Sequence, residues 1–225
     1  STPLNNPFWE YSRDKIACEQ LLKKAYVEKG FPYTIVRPSH TYDKTLLPFE
    51  GGVTVLHRIL NGKPIVMFGD GSSVWTITHH RDFAKGLVGL IGNSKAIAED
   101  FHITTDELLT WENIYTIVAE ALGKTLSKVY VASEKFATYH KAMGDSVLGD
   151  KMHSMVFDNS KIKATVPDFA CTIPFRDGIQ EVLAWHLARM EELAIDPELD
   201  AVFDRIVADK KIGCVSQIDI PKSQG

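Results

Sequence analysis

The run Tyr11-Ser-Arg-Asp-Lys15-Ile-Ala-Cys-Glu19-Gln-Leu-Leu-Lys-Lys-Ala25 passes through Gly30-Phe-Pro32 into Tyr33-Thr-Ile35-Val-Arg37-Pro38-Ser-His40-Thr-Tyr42, and this stretch decides the fold. Ile16, Ala17, Leu21, Leu22 and Ala25 recur at helical spacing, so a helix is predicted from about Trp9 to Glu28, closed by Gly30 and Pro32. The β-rich run 33–36 follows at once and ends at Pro38. A helix feeding a continuous apolar strand points to an α/β layer with parallel strands. Tyr11 and Lys15 stand four apart, on one helical face. An ammonium beside a phenol favours phenolate and draws down an ordinary pKa of about 10, which makes the pair a candidate acid/base. A solvated helix face is the competing reading. Cys18, one turn on, reads as a buried structural thiol.

Working outward, the alternation continues. Helices are predicted at 52–60, 81–91 and 110–122, and another starts at Ser133; strands are predicted at 64–68, 74–78, 100–104 and 128–132. Thr110 with Asn113 marks a helix start, and Gly123 stands where a closing glycine belongs. Gly69-Asp-Gly-Ser-Ser73 reads as a turn, because strand follows it and no helix N-terminus is available to hold a phosphate. Past Gly144 the pattern loosens, then resumes in helices at about 175–193 and 197–208, with 213–225 read as loop. Trp111, Phe175 and Trp185 fall at helical positions and read as core.

Hydrophobic residues make up 44% and charged residues 24% of the chain, a globular balance that excludes disordered and fibrous classes. The net charge is −4 with no basic block, which argues against nucleic acid and anionic membranes as partners. Cys18, Cys171 and Cys214 are scattered, without metal-ligand spacing, and point to a reducing, cytoplasmic setting. No apolar run reaches the roughly 20 residues of a bilayer span, and no secretory signal opens the chain.

Four motifs in order give these residues a context. Tyr11 to Leu22 resembles the active-site helix of the extended short-chain dehydrogenase/reductases, the NAD-dependent epimerase/dehydratase family. Thr34 to Tyr42 is similar to that family's strand and Arg-Pro turn, and Gly69 to Asp82 to its Gly-x-Gly segment ending in His-x-x-Asp. Asp158-Asn-Ser-Lys161 and Pro174-Phe-Arg-Asp-Gly178-Ile resemble its closing lysine segment and last helix. The resemblance implies an α/β fold: the C-terminal part of an NAD(P)-binding Rossmann-fold enzyme with a smaller mixed α/β substrate-binding lobe. Residues 1–43 would form the trailing helix and strand of the Rossmann domain, with about 74–105 returning to it, and 44–225 the lobe and C-terminal helices.

The resemblance also assigns roles. Tyr11 would move a proton at a substrate hydroxyl or carbonyl, and Lys15 would hold the nicotinamide ribose. Tyr11, Lys15, Pro38, Ser39 and His40 would meet the cofactor, NAD by family habit with NADP open. His40, Trp75 and His79 are the candidate substrate contacts. The substrate would be a sugar or sugar nucleotide, and the protein a homodimer paired through the helix carrying Tyr11. A non-catalytic nucleotide- or RNA-binding protein on the same scaffold is the rival.

Departures from the family pattern qualify this. His40 stands where the sugar-nucleotide enzymes usually carry asparagine, and Asp43 where they carry glycine. Trp75 stands where many carry an arginine reaching phosphate. An indole offers one neutral donor against an arginine fork, so a smaller sugar, a lactone or an aromatic carbonyl compound gains ground. No metal is expected: neighbouring histidines on a strand point to opposite faces, which separates His79 from His80 and leaves Asp82 to cap the next helix. The family places its Gly-rich phosphate turn upstream of the tyrosine, and no Gly-x-Gly-x-x-Gly occurs in the 225 residues. The expectation is therefore a C-terminal piece, inactive by itself.

Overall fold

The computed structural model of the chain describes residues 6–215, the side chains only as far as Lys210. Helix α1, Glu10–Lys29, closes on Gly30, whose left-handed φ of 65° lets its N–H reach back to carbonyls of the last turn. Strands β1, Thr34–Pro38, and β2, His40–Tyr42, follow in one run broken only at Ser39. Next come helix α2, Gly52–Leu60, then β3, Ile65–Phe68, β4, Val74–Trp75, and β5, Ile77–His79. Helix α3, His80–Leu90, leads to β6, Glu99–Ile103, and β7, Leu109–Thr110.

Helix α4, Trp111–Ala121, opens on the predicted cap as a full capping box. Thr110 Oγ1 accepts from the Asn113 N–H at 3.1 Å, and the Asn113 side chain accepts from the Thr110 N–H at 3.2 Å. Strand β8, Lys128–Val131, and helices α5, Ser133–Tyr139, and α6, Lys141–Ser146, follow. A π-helical turn then occupies Val147–Lys151. Helices α7, Ser160–Thr165, α8, Phe175–Leu187, and α9, Pro197–Val215, complete the described chain. Residues 213–215 thus extend a helix rather than a loop; 216–225, read as loop from sequence, lie outside the described residues.

Three strand pairs are parallel: β1 with β6, β2 with β5, and β3 with β8. All four residues of β3 are buried, as its unbroken apolar sequence demands of a strand covered on both faces. A larger core gathers Leu56, Ile65, Met67, Trp111, Phe175 and Phe203. A smaller one gathers Leu90, Phe101, Ile103, Ile162 and Phe169 around β6. The π-helical turn lies against the larger core through Val147.

Two ion clusters fasten helices to this frame. Arg58, fully buried, bonds Asp200 at 2.5 Å and Asp204 at 2.8 Å, gives its Nε–H to the Pro64 carbonyl, and so docks α9 on α2. Arg37 on β1 bonds both carboxylate oxygens of Glu19 on α1 and reaches Asp100 on β6 at 2.7 Å. The fork holds the Glu19 carboxyl below its ordinary range. Apart from such polar ties, α1 buries no residue, and Leu21 is 67% exposed. The apolar spacing predicted the helix correctly; the burial expected of that face is absent, and Cys18 is exposed rather than buried.

Candidate functional site

Tyr11 and Lys15 lie in the first two turns of α1, both exposed, with the Lys15 ammonium 5.2 Å from the centre of the phenol ring. Lys15 makes no ion pair among the described residues, so its charge is free to serve an incoming group. Asn6 sets the start of the helix. Its side-chain oxygen accepts from the N–H groups of Phe8 and Trp9 at 3.1 Å, and Arg13 donates to its carbonyl at 2.7 Å. The Trp9 ring then packs 5.1 Å from the Tyr11 ring.

Beyond β1, Pro38 is exposed while Ser39 is engaged inward. The Ser39 hydroxyl donates to the Thr76 carbonyl at 2.5 Å and accepts from the Thr76 hydroxyl at 2.6 Å. The His40 ring stands edge-on to Trp75, centroids 6.5 Å apart. Burial, and then the positive charge of Lys151, push its pKa down to about 4, so at neutral pH it is a neutral imidazole. Trp75 is 5% exposed and donates its indole N–H to the Lys151 carbonyl at 3.3 Å.

Tyr42, 2% exposed, lies edge-on to His79 and Phe175, and its hydroxyl has no hydrogen-bond partner. Burial, helped by the carboxylates of Glu107 and Glu181, pushes its pKa up. Gly178 on α8 is the reason Tyr42 fits: a Cβ there would overlap its hydroxyl oxygen and come within 2.9 Å of His79 Cδ2.

The histidine pair differs from the expectation. Strand β5 ends at His79 and α3 begins at His80, so strand alternation does not apply across the junction. The two rings lie 4.6 Å apart and share one carboxylate. His79 Nε2 is 2.6 Å and His80 Nε2 3.9 Å from Glu181 Oε1, while Arg81 donates to Glu181 Oε2 at 3.0 Å. These hydrogen bonds and charges hold the Glu181 carboxyl below its ordinary range, the His79 bond foremost. The ligand atoms of the trio lie within 4.8 Å of one another. Yet His79 Nδ1 accepts the Arg81 N–H as the cap of α3, which places the ring proton on Nε2, pointing at Glu181. Metal ligation through Nε2 would cost that cap. Asp82 does not cap α3; its carboxylate receives the N–H groups of Thr172 and Ile173 and the Lys85 ammonium.

A cavity of about 630 Å³ opens at the carboxyl ends of β3 and β8, the end of a parallel sheet where ligands gather, lined by Phe68, Asp70, Ser73, Tyr130, Glu134 and Met152 among others. Gly69–Ser73 forms its rim as a turn, as read from sequence. The structure thus brings Tyr11, Lys15, Trp9, Lys151, Trp75 and His40 into one line of contacts. His79 stands in a separate cluster with Glu181. Trp9, Lys151 and Glu181 carry no signal in sequence, since each gains its part from a partner far along the chain: Trp9 from Lys151, Lys151 from Trp75, Glu181 from His79.

Parallel ladders with helical crossovers make this a mixed α/β chain whose fold matches Rossmann-fold epimerase/dehydratase structures. The model of the NAD dependent epimerase/dehydratase family matches residues 1–104. The chain is 29% identical over 132 residues to a 2'-dehydrokanamycin reductase of Streptomyces kanamyceticus, covering 57% of this chain and 37% of the relative. It is 26% identical over 178 residues to a dTDP-glucose 4,6-dehydratase of an Actinoplanes species, covering 79% and 51%. The structure of UDP-glucuronic acid 4-epimerase from Bacillus cereus, in complex with UDP-glucuronic acid and NAD, matches with a TM-score of 0.66 at 21% identity, over 81% of this chain and 54% of that one. The matches thus span about half or less of these relatives' length. No helix among the described residues is long and apolar enough to cross a membrane.

Proposed function

We propose that the protein oxidises and reduces a sugar or sugar-nucleotide-like substrate with a nicotinamide cofactor, Tyr11 exchanging the proton and Lys15 holding the cofactor ribose. The observation that carries this is the Tyr11–Lys15 pair: open to solvent, one turn apart, with the ammonium 5.2 Å from the phenol ring. The residues fit the nicotinamide end of a dinucleotide. Lys15 offers free donors, exposed Pro38 a flat apolar face, and Ser39 its backbone. They do not supply a phosphate cradle, since the chain has no Gly-x-Gly-x-x-Gly.

Bound nicotinamide would accept or return the hydride. The protein's own task is the proton: as a substrate C–OH becomes C=O, its carbon gives up hydride and its oxygen gives up a proton, which Tyr11 receives as phenolate. Neutral His40 offers a hydrogen bond without charge, and the cavity beside Phe68 and Tyr130 would take the remote part of the substrate. We further propose that 1–43, with about 74–105, serves the cofactor side and the remainder the substrate side.

The test is nicotinamide absorbance with NAD and NADP in turn, across sugars, sugar nucleotides, lactones and aldehydes. Substrate-dependent absorbance change is expected. Its absence across the panel, with tight and steeply salt-dependent RNA binding instead, would overturn the proposal.

A further inference from the structure

Lys151 is 6% exposed, and lysines are seldom so buried without a purpose-built pocket. Its ammonium stands over two indoles, 4.6 Å from the Trp75 ring centre and 5.2 Å from that of Trp9. Asp150 bonds it, and Glu50 lies 3.9 Å away. Its carbonyl is gripped equally: Trp111 Nε1 and Ser73 Oγ donate to it at 3.0 Å, and Trp75 Nε1 at 3.3 Å. The residue ends the π-helical turn 147–151, a form that interrupts regular helix and concentrates at functional sites.

The other side of this grip is the start of α1. Asn6 donates to the Gly149 carbonyl at 2.7 Å, and a Cβ on Gly149 would lie 2.9 Å from Trp9 Cβ, so the turn and the helix start meet closely. Trp9 in turn touches the Tyr11 ring. A chain of contacts therefore runs Trp75, Lys151, Trp9, Tyr11. Since α1 buries nothing, this chain, the Glu19–Arg37 fork eight residues on and the Lys23–Asp100 ion pair hold its placement.

We propose that Lys151 is a positioning residue, whose ammonium, held between Trp75 and Trp9, sets the distance of Tyr11 from the substrate side. The assignment rests on the proposed role of Tyr11. Lys151 does not line the cavity, although its neighbour Met152 does, so its effect should fall on turnover more than on substrate affinity.

Lys151→Met keeps the stem and removes the charge; Lys151→Arg keeps a cation able to stack on both indoles. Amide hydrogen exchange of residues 6–14 should quicken about tenfold or more in Lys151→Met, with α4 and α8 unchanged, and return near wild type in Lys151→Arg. Where turnover is found, kcat should fall about 10- to 100-fold in Lys151→Met at nearly constant KM, with recovery in Lys151→Arg. Unchanged exchange at 6–14 would overturn the grip. Faster exchange with undiminished kcat, in a protein that Tyr11→Phe inactivates, would overturn the positioning role. Full turnover by Tyr11→Phe would instead overturn the functional reading on which that role rests, while exchange still judged the grip.

Discussion

Gly178→Ala tests the packing beneath the site with a sign opposite to the usual one. Inside a helix, alanine in place of glycine ordinarily gains about 1 kcal/mol. Here the new methyl would overlap the Tyr42 hydroxyl, and it would meet Tyr42 Cζ at 3.1 Å and His79 Cδ2 at 2.9 Å. Overpacking of a filled core costs about 1–3 kcal/mol, and both neighbours are at most 2% exposed, with little room to yield. The expected net effect is a loss of about 1–2 kcal/mol. Tyr42→Phe works the other way. It removes a buried hydroxyl with no partner, a group that costs about 1–3 kcal/mol to desolvate, so the variant should be as stable as wild type or more so. In the double variant the worst overlap is gone while the His79 contact stays. Urea unfolding of the four proteins should then give a favourable coupling of about 1 kcal/mol, against about 0.3–0.5 kcal/mol for independent sites. A Gly178→Ala protein more stable than wild type, or coupling indistinguishable from zero, would refute the close approach of α8 to Tyr42.

Arg58→Met should destabilise by about 3 kcal/mol in urea: a fully buried cation is lost and the Pro64 carbonyl stripped of its donor, although Lys63 still reaches Asp200 and Asp204 is half in water. Burial works against the Asp200 carboxylate, but bonds from Arg58 and Lys63 outweigh it and hold the carboxyl low. That stability is therefore present above the unfolded pKa of about 4 and lost as pH falls through the lower folded value. His40 has the complementary behaviour. Its folded pKa of about 4 lies below the unfolded value, so the unfolded chain takes up the proton first and stability falls as pH drops from about 6.5 toward 4. Ring-proton titration by NMR should find His40 neutral at pH 6 in wild type, with a higher pKa in Lys151→Met.

The elements built on local chemistry were legible. The Thr110–Asn113 cap, the glycine turn at 69–73 and the strand Ile65–Phe68 each follow from a few adjacent residues. What depends on neighbours far along the chain was not. The spacing of Ile16, Leu21 and Leu22 specifies a helix but not whether anything covers it, and so Cys18 came out exposed. His79 and His80 converge because a strand passes into a helix between them, a boundary that a two-residue pattern cannot locate. Lys151 carries no motif; its meaning arises only when Trp9 and Trp75, distant in sequence, close on it. Tyr11 and Lys15 were visible as a pair because one helical turn suffices to join them.

The central claim is that Tyr11 carries the proton while nicotinamide carries the hydride. Turnover of Tyr11→Phe, compared with wild type on a substrate found in the nicotinamide assay, tests it most directly. The account predicts a loss of about 100-fold or more in kcat with cofactor binding retained, since only the transferable proton has been removed. Full turnover by Tyr11→Phe would contradict it.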